Sequence, residues 1–101
     1  MEETDKNELL LIQLIFMLQA AALQQMGKLK NPVTDTIEQD LQQAQLTIDM
    51  IEMIHIKMKG NLTPDEDKIF SQVLQDLKLN YVDEVSKLQS KEVRQQTSSS
   101  T

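Results

Sequence analysis

Residues Leu9 to Leu23, LLLIQLIFMLQAAAL, place thirteen apolar side chains in fifteen positions, interrupted by Gln13 and Gln19. Read as a helix at about 100° per residue, the run points Leu9, Leu10, Leu11, Ile12, Leu14, Ile15, Phe16 and Met17 in every direction around the axis, so no side is left for water. Such a helix must be covered all round. The run spans about 22 Å, short of the hydrocarbon core of about 30 Å that takes about twenty apolar residues, so it reads as a buried core helix, and membrane insertion is not expected. The residues before it, Glu2, Glu3, Asp5, Lys6 and Glu8, are mostly acidic, the opposite of the positive region that opens a secretory signal. The sequence has no cysteine, so packing must hold the fold, and the cytoplasm is the expected compartment.

A chain of 101 residues, 40% of them hydrophobic, has material for one small core. Sixteen acids against ten bases leave a net charge of −6, which repels nucleic-acid phosphates and anionic lipid surfaces alike. Arg94 is the sole arginine, and Phe16, Phe70 and Tyr81 are the aromatics. Direct nucleic-acid binding is not expected from so few cationic and stacking groups.

The spacing predicts three helices. Residues 1–7 read as a flexible start and helix 1 as about 8–26, closed by Gly27 in a left-handed conformation, with Leu29 folding back and Asn31-Pro32 preventing continuation. Residues 27–39, rich in turn formers, form an ordered loop. Asp40 caps helix 2, about 40–59, with Gln43 three residues on to complete a capping box. Leu41, Ala44, Ile48, Ile51 and Met58 make the stripe that meets helix 1, while Leu46, Met50, Met53 and Ile54 make a second stripe on roughly the opposite side. Lys57 and Lys59 suit the carboxyl end of the dipole, and Gly60 stops the helix. Thr63-Pro64-Asp65-Glu66 joins an N-cap, a proline at the first helical position and a carboxylate three residues after the cap, which starts helix 3, about 64–90. Its stripe is Ile69, Phe70, Val73, Leu74, Leu77, Tyr81, Val82, Val85 and Leu88. Residues 91–101 carry little to bury and read as a disordered tail.

Asn31-Pro32 with Thr34, Asp40-Leu41 with Ala44, Ile48-Asp49 with Glu52-Met53, the run Lys59-Gly60-Asn61-Leu62-Thr63, and Tyr81-Val82 together resemble a small bacterial family, the domain of unknown function DUF1844. The likeness covers Leu9 to about Val82. The family pattern usually has glycine where this chain has Asp35, and it does not call for histidine at His55. The resemblance implies a short all-helical protein and brings no established activity.

The sharpest chemical pattern is Glu52-Met53-Ile54-His55, whose first and fourth side chains share a helix face as in di-metal carboxylate bundles. One helix supplies only half of such a site, and helix 1 adds no carboxylate between Leu9 and Met26. The plainer reading puts His55 on the apolar stripe as a partly buried histidine, with Glu52 solvated beside it. Gly27 and Gly60 both fall at helix ends, so there is no glycine-rich phosphate loop, and no serine sits at a strand-to-helix elbow. The methionines Met17, Met26, Met50, Met53 and Met58 fit core filling better than an adaptable groove. No catalytic residue and no cofactor is assigned.

The expected fold is therefore all-α, a three-helix small domain of helical hairpins assembling into a dimeric or larger bundle. Neighbours of about twenty residues cannot surround helix 1 while helix 2 carries a second stripe, so another subunit is the economical cover. The expected interaction surface is Leu11, Ile15, Leu18 and Ala22 with Leu46, Met50, Met53 and Ile54, and a two-fold homo-oligomer is favoured. The expected role is a non-enzymatic structural or interaction module of a larger bacterial complex; the alternatives are a ribosome-associated accessory factor and a di-metal carboxylate protein.

Overall fold

A computed structural model describes residues 3–99, with side chains over residues 5–92. The element order is α1 (Glu3–Met26), α2 (Leu41–Lys57) and α3 (Pro64–Ser99), an all-α domain with no strand among the described residues. Each helix packs against both others. Their shared core is Ile15, Ala22 and Met26 from α1, Ala44, Ile48 and Ile51 from α2, and Phe70, Val73, Leu74 and Leu77 from α3.

The helix ends follow local chemistry. At Gly27, φ is +87°; its N–H donates to the Gln24 carbonyl at 3.0 Å and the Lys28 N–H to the Leu23 carbonyl at 2.8 Å. That pair of bonds is the Schellman closure of a helix, and it needs a residue that tolerates the left-handed region. Leu29 does not fold back as expected. It lies exposed, because Lys28 holds the position from which the closing contact would be made. Asp40 caps α2, accepting the Gln43 N–H at 3.1 Å, but the return half of the box is replaced: the Asp40 N–H donates to the Gln25 carbonyl of α1 at 2.7 Å. Gln39 Nε2 donates to the Met26 carbonyl at 2.9 Å. These two bonds tie the end of α1 to the start of α2. Thr63 and Glu66 form the full reciprocal box, Glu66 N–H to Thr63 Oγ1 at 3.1 Å and Thr63 N–H to Glu66 Oε1 at 2.8 Å. Thr63→Ala leaves the Glu66 N–H without its acceptor and is expected to cost about 1 kcal/mol in urea unfolding.

The loop between α1 and α2 is ordered. Asn31 and Thr36 form an isolated antiparallel bridge, the Asp35 N–H donates to the Asn31 carbonyl at 2.7 Å, and Asn31 Oδ1 accepts the Val33 N–H at 2.9 Å. Asp35 sits at φ +55°, in the left-handed region. A side chain there meets its own backbone, at a cost of roughly 1–2 kcal/mol that aspartate bears better than most residues. Asp35→Gly is therefore expected to hold or raise stability, and Asp35→Val to lower it by about 1–2 kcal/mol, as read from denaturant midpoints.

Three boundaries differ from the expected ones. α1 begins at Glu3 rather than about residue 8, and Asp5 brings a favourable negative charge to its first turn; Met1 and Glu2 lie outside the described residues. α2 ends at Lys57, and Met58 to Gly60 form a turn closed by the Asn61 N–H on the Met58 carbonyl at 2.8 Å, with Gly60 at φ +91°. α3 runs to Ser99, well past Ser90. Between Ser90 and Gln96 there is no glycine or proline, and Lys91, Glu92, Arg94, Gln95 and Gln96 are good helix formers. A lack of residues to bury is not in itself a stop signal. Ser100 and Thr101, the end of the expected tail, lie outside the described residues.

Candidate interaction surface

α1 is buried on one side only. Ile15, Ala22 and Met26 face α2 and α3, and Leu11, Leu18 and Leu23 pack at the margins of that stripe. This corrects the expected surface. Ile15 and Ala22 belong to the interior of the subunit, and Leu11 and Leu18 flank it, so they are not the free face of α1. The apolar side chains left uncovered are others: Leu10, Leu14 and Met17 are 52%, 43% and 69% exposed, with Leu9 and Phe16 about half exposed. On α2 the second stripe stands where the spacing placed it, with Leu46, Met50 and Met53 at 41–47% exposure, while Ile54 is half-buried against the core.

These two sets lie on adjoining helices. The buried Thr47 hydroxyl of α2 donates to Gln25 Oε1 of α1 at 2.7 Å, which locates α2 beside the Leu14, Leu18 and Gln25 flank of α1. Gln19 Nε2 reaches Asp76 Oδ2 of α3 at 3.3 Å on the other flank. Helical spacing then puts Leu10, Leu14 and Met17 on the outward side next to α2, where Met50 and Ile54 approach the same seam. The exposed residues form a broad apolar face without a charged side chain on α1 from Leu9 to Gly27.

Glu52 and His55 take different partners. Glu52 Oε2 lies 3.3 Å from Lys78 Nζ, exposed on the surface. His55 is half-buried, stacked on Phe70 with ring centroids 5.0 Å apart and planes 8° from parallel, and its Nε2 lies 2.7 Å from Asp67 Oδ1. A carboxylate only accepts, so Nε2 carries the proton of that bond. Among the described residues no three His, Asp or Glu side chains gather as a metal-binding group. A surface hollow of about 590 Å³ opens beside His55, walled by Ile56, Lys59, Leu62, Pro64 and Asp67. Its imidazole and carboxylate are bonded to each other, and the Thr63 hydroxyl accepts the helix cap.

A second charged group joins the end of α1 to α3. Lys28 Nζ lies 2.8 Å from Asp83 Oδ2 and 3.7 Å from Glu84 Oε2; Lys87 Nζ lies 3.2 Å and 3.1 Å from the same two oxygens. Glu84 is buried, and both ammonium groups neutralise its Oε2 without a well-directed hydrogen bond to it. Hydrogen bonds from Lys28 and then Lys87 hold the Asp83 carboxyl below the ordinary aspartate range, and Glu84 with Asp83 holds the Lys87 ammonium above the ordinary lysine value. The Asp83 contribution is thus present at neutral pH and fades as pH falls through its depressed range; that of Lys87 fades only as pH rises through its raised one. Solvent screening keeps both small.

A family model for a domain of unknown function, DUF1844, matches residues 8–83. The chain belongs to the DUF1844 family. The matched span of this DUF1844 domain holds the apolar run of α1, the Asn31 loop, all of α2, the Thr63 cap and α3 as far as its ion pair with Lys28. Asp35 is the left-handed residue of the loop within this span. No curated protein and no solved structure shows significant similarity to the chain. The DUF1844 helix α1 is also longer than its apolar run: Asp5–Met26, whose most apolar 18-residue window has mean hydropathy 1.7, is long and apolar enough to cross a membrane by length and composition. The expectation that the run is too short to span does not extend to the whole helix.

Proposed function

We propose that this DUF1844 protein is a non-enzymatic helical module that works by protein–protein assembly, beginning with association of its own copies. The observation that supports this is the outer face of α1 and α2, where Leu10, Leu14, Met17, Leu46, Met50 and Met53 are left uncovered side by side. Contiguous apolar patches of this kind mark interaction sites on soluble domains. The polar groups elsewhere support a structural role: Glu52, His55, Asp67, Thr63 and the Lys28 group are each engaged by a neighbour in the fold. The acidic approach at Asp5 and Glu8 disfavours anionic lipid as the cover, which agrees with a cytoplasmic protein.

The test is the native mass of the purified protein by light scattering, with vesicle flotation alongside. A mass at or above twice the 11.6 kDa of the chain, with no flotation, supports the reading. A stable monomer, or a monomer that floats with vesicles, overturns it.

A further inference from the structure

Sulfur on the uncovered face brings a chemistry that association alone does not use. The sequence has six methionines and no cysteine. Among the described residues, Met26 is fully buried where the three helices meet, and Met58 packs at the edge of the core. Met17, Met50 and Met53 are 69%, 41% and 47% exposed, and all three stand on the apolar face of α1 and α2. Core filling, the role expected for all five, therefore describes only Met26 and Met58.

Thioether sulfur is soft and polarizable, and with no thiol in the chain it is the sulfur that a peroxide meets. The sulfur lone pair attacks one peroxide oxygen, and the S–O bond forms as the O–O bond breaks. The departing hydroxide takes the proton of the transferred hydroxyl and leaves as water, so sulfur loses the two electrons that peroxide gains. The product changes the face. A flexible apolar thioether becomes a polar sulfoxide whose oxygen needs a donor. At an apolar interface each such oxygen left unpaired raises the dissociation constant about tenfold. On the free subunit the same oxygen points into water, and none of the three side chains belongs to the core. Oxidation is thus expected to separate the copies and leave the fold in place.

Resting on the self-association proposed above, we propose that Met17, Met50 and Met53 are oxidation sites through which a peroxide releases subunits from the assembly. Association covers the three sulfurs, so the oxidant takes them from the free subunit, and each sulfoxide then keeps that subunit from re-entering. Reduction by a dithiol, which becomes a disulfide while the oxygen leaves as water, restores the thioether and with it the face.

Hydrogen peroxide treatment of the purified protein, followed by light scattering, peptide mass mapping and far-UV circular dichroism, tests this. The expected result is a fall in mass to the 11.6 kDa of one chain, with helical content kept and sulfoxide at Met17, Met50 and Met53 ahead of Met26. Methionine sulfoxide reductase with a dithiol is expected to return the starting mass. The variant Met17→Leu/Met50→Leu/Met53→Leu keeps the apolar volume without the sulfur, so its assembled mass is expected to withstand the same peroxide. An assembled mass that persists with sulfoxide at the three positions, sulfoxide that forms first at Met26, or a leucine variant that dissociates as readily as the wild type overturns oxidative release while self-association stands. A monomeric mass for the wild type before any peroxide overturns both readings.

Discussion

Met50→Glu is expected to turn the assembled protein into monomers whose helical content matches the wild type. Met50 lies outside the core, so within one subunit the substitution is a surface change, for which effects within about 0.5 kcal/mol are usual. At an apolar interface the same carboxylate must lose its water or force the surfaces apart. About 3 kcal/mol of lost association free energy, a modest value for an unpaired charge at such a position, raises the dissociation constant about 100-fold. Two-fold symmetry adds to this, because each copy brings a glutamate to the same interface. Light scattering over a concentration series reads the shift, and far-UV circular dichroism checks the fold. A variant that keeps the wild-type mass would remove this face from the assembly.

Phe70→Ala should have the opposite signature, with the subunit itself losing stability. Phe70 is 1% exposed, the largest of the fully buried side chains, and its ring carries the imidazole of His55. Truncation leaves a cavity where all three helices meet and removes the surface on which His55 is stacked. Losses of about 3–5 kcal/mol are usual for such a change, a large share of the stability of a domain this small. Urea unfolding at fixed protein concentration measures it, since association would otherwise shift the midpoint. Phe70→Leu, which keeps most of the volume, is expected to cost less. If the alanine variant unfolds at the wild-type midpoint, the core is not organised around this ring.

What could be read in advance was whatever depends on a few neighbouring residues. Gly27 and the Thr63 to Glu66 cap fixed helix ends locally, and each is found at the end of its helix; Gly60 takes the left-handed conformation expected of it, but in the turn after α2 has already ended at Lys57. Asp40 was read correctly as a cap. Its own N–H was not, because the acceptor is a carbonyl on another helix, fifteen residues earlier. The inward stripe of α1 was hidden for a different reason. A helix apolar in every direction has no preferred side, so nothing in Leu9 to Leu23 told Ile15 and Ala22 apart from Leu14 and Met17; packing against α2 and α3 decided it. α2 is polar enough between its stripes that both could be traced, and Leu46, Met50 and Met53 stand exposed where the spacing put them, while Ile54, at the edge of its stripe, turns to the core. The length of α3 was missed by taking a tail with only Val93 to bury for a disordered one. His55 was placed on the right stripe, but neither the Phe70 ring nor the Asp67 carboxylate that hold it could be known before the helices were brought together.

The short connection at residues 58–63 sets α2 directly beside α3, and most contacts of the domain lie within its helices, although α1 closes on α3 across more than fifty residues, as in the Gln19–Asp76 and Lys28–Asp83 pairs. Helical domains with such local topology fold in microseconds to milliseconds. Encounter between two copies is a bimolecular event and slows with dilution. In the proposed assembly each new subunit is therefore finished before it meets another, and for that interval its outer face is bare. Gln13, Gln24, Gln42 and Gln43, set among the methionines and leucines, keep that face wettable while it waits, which lets the chain remain dispersed until its own kind arrives.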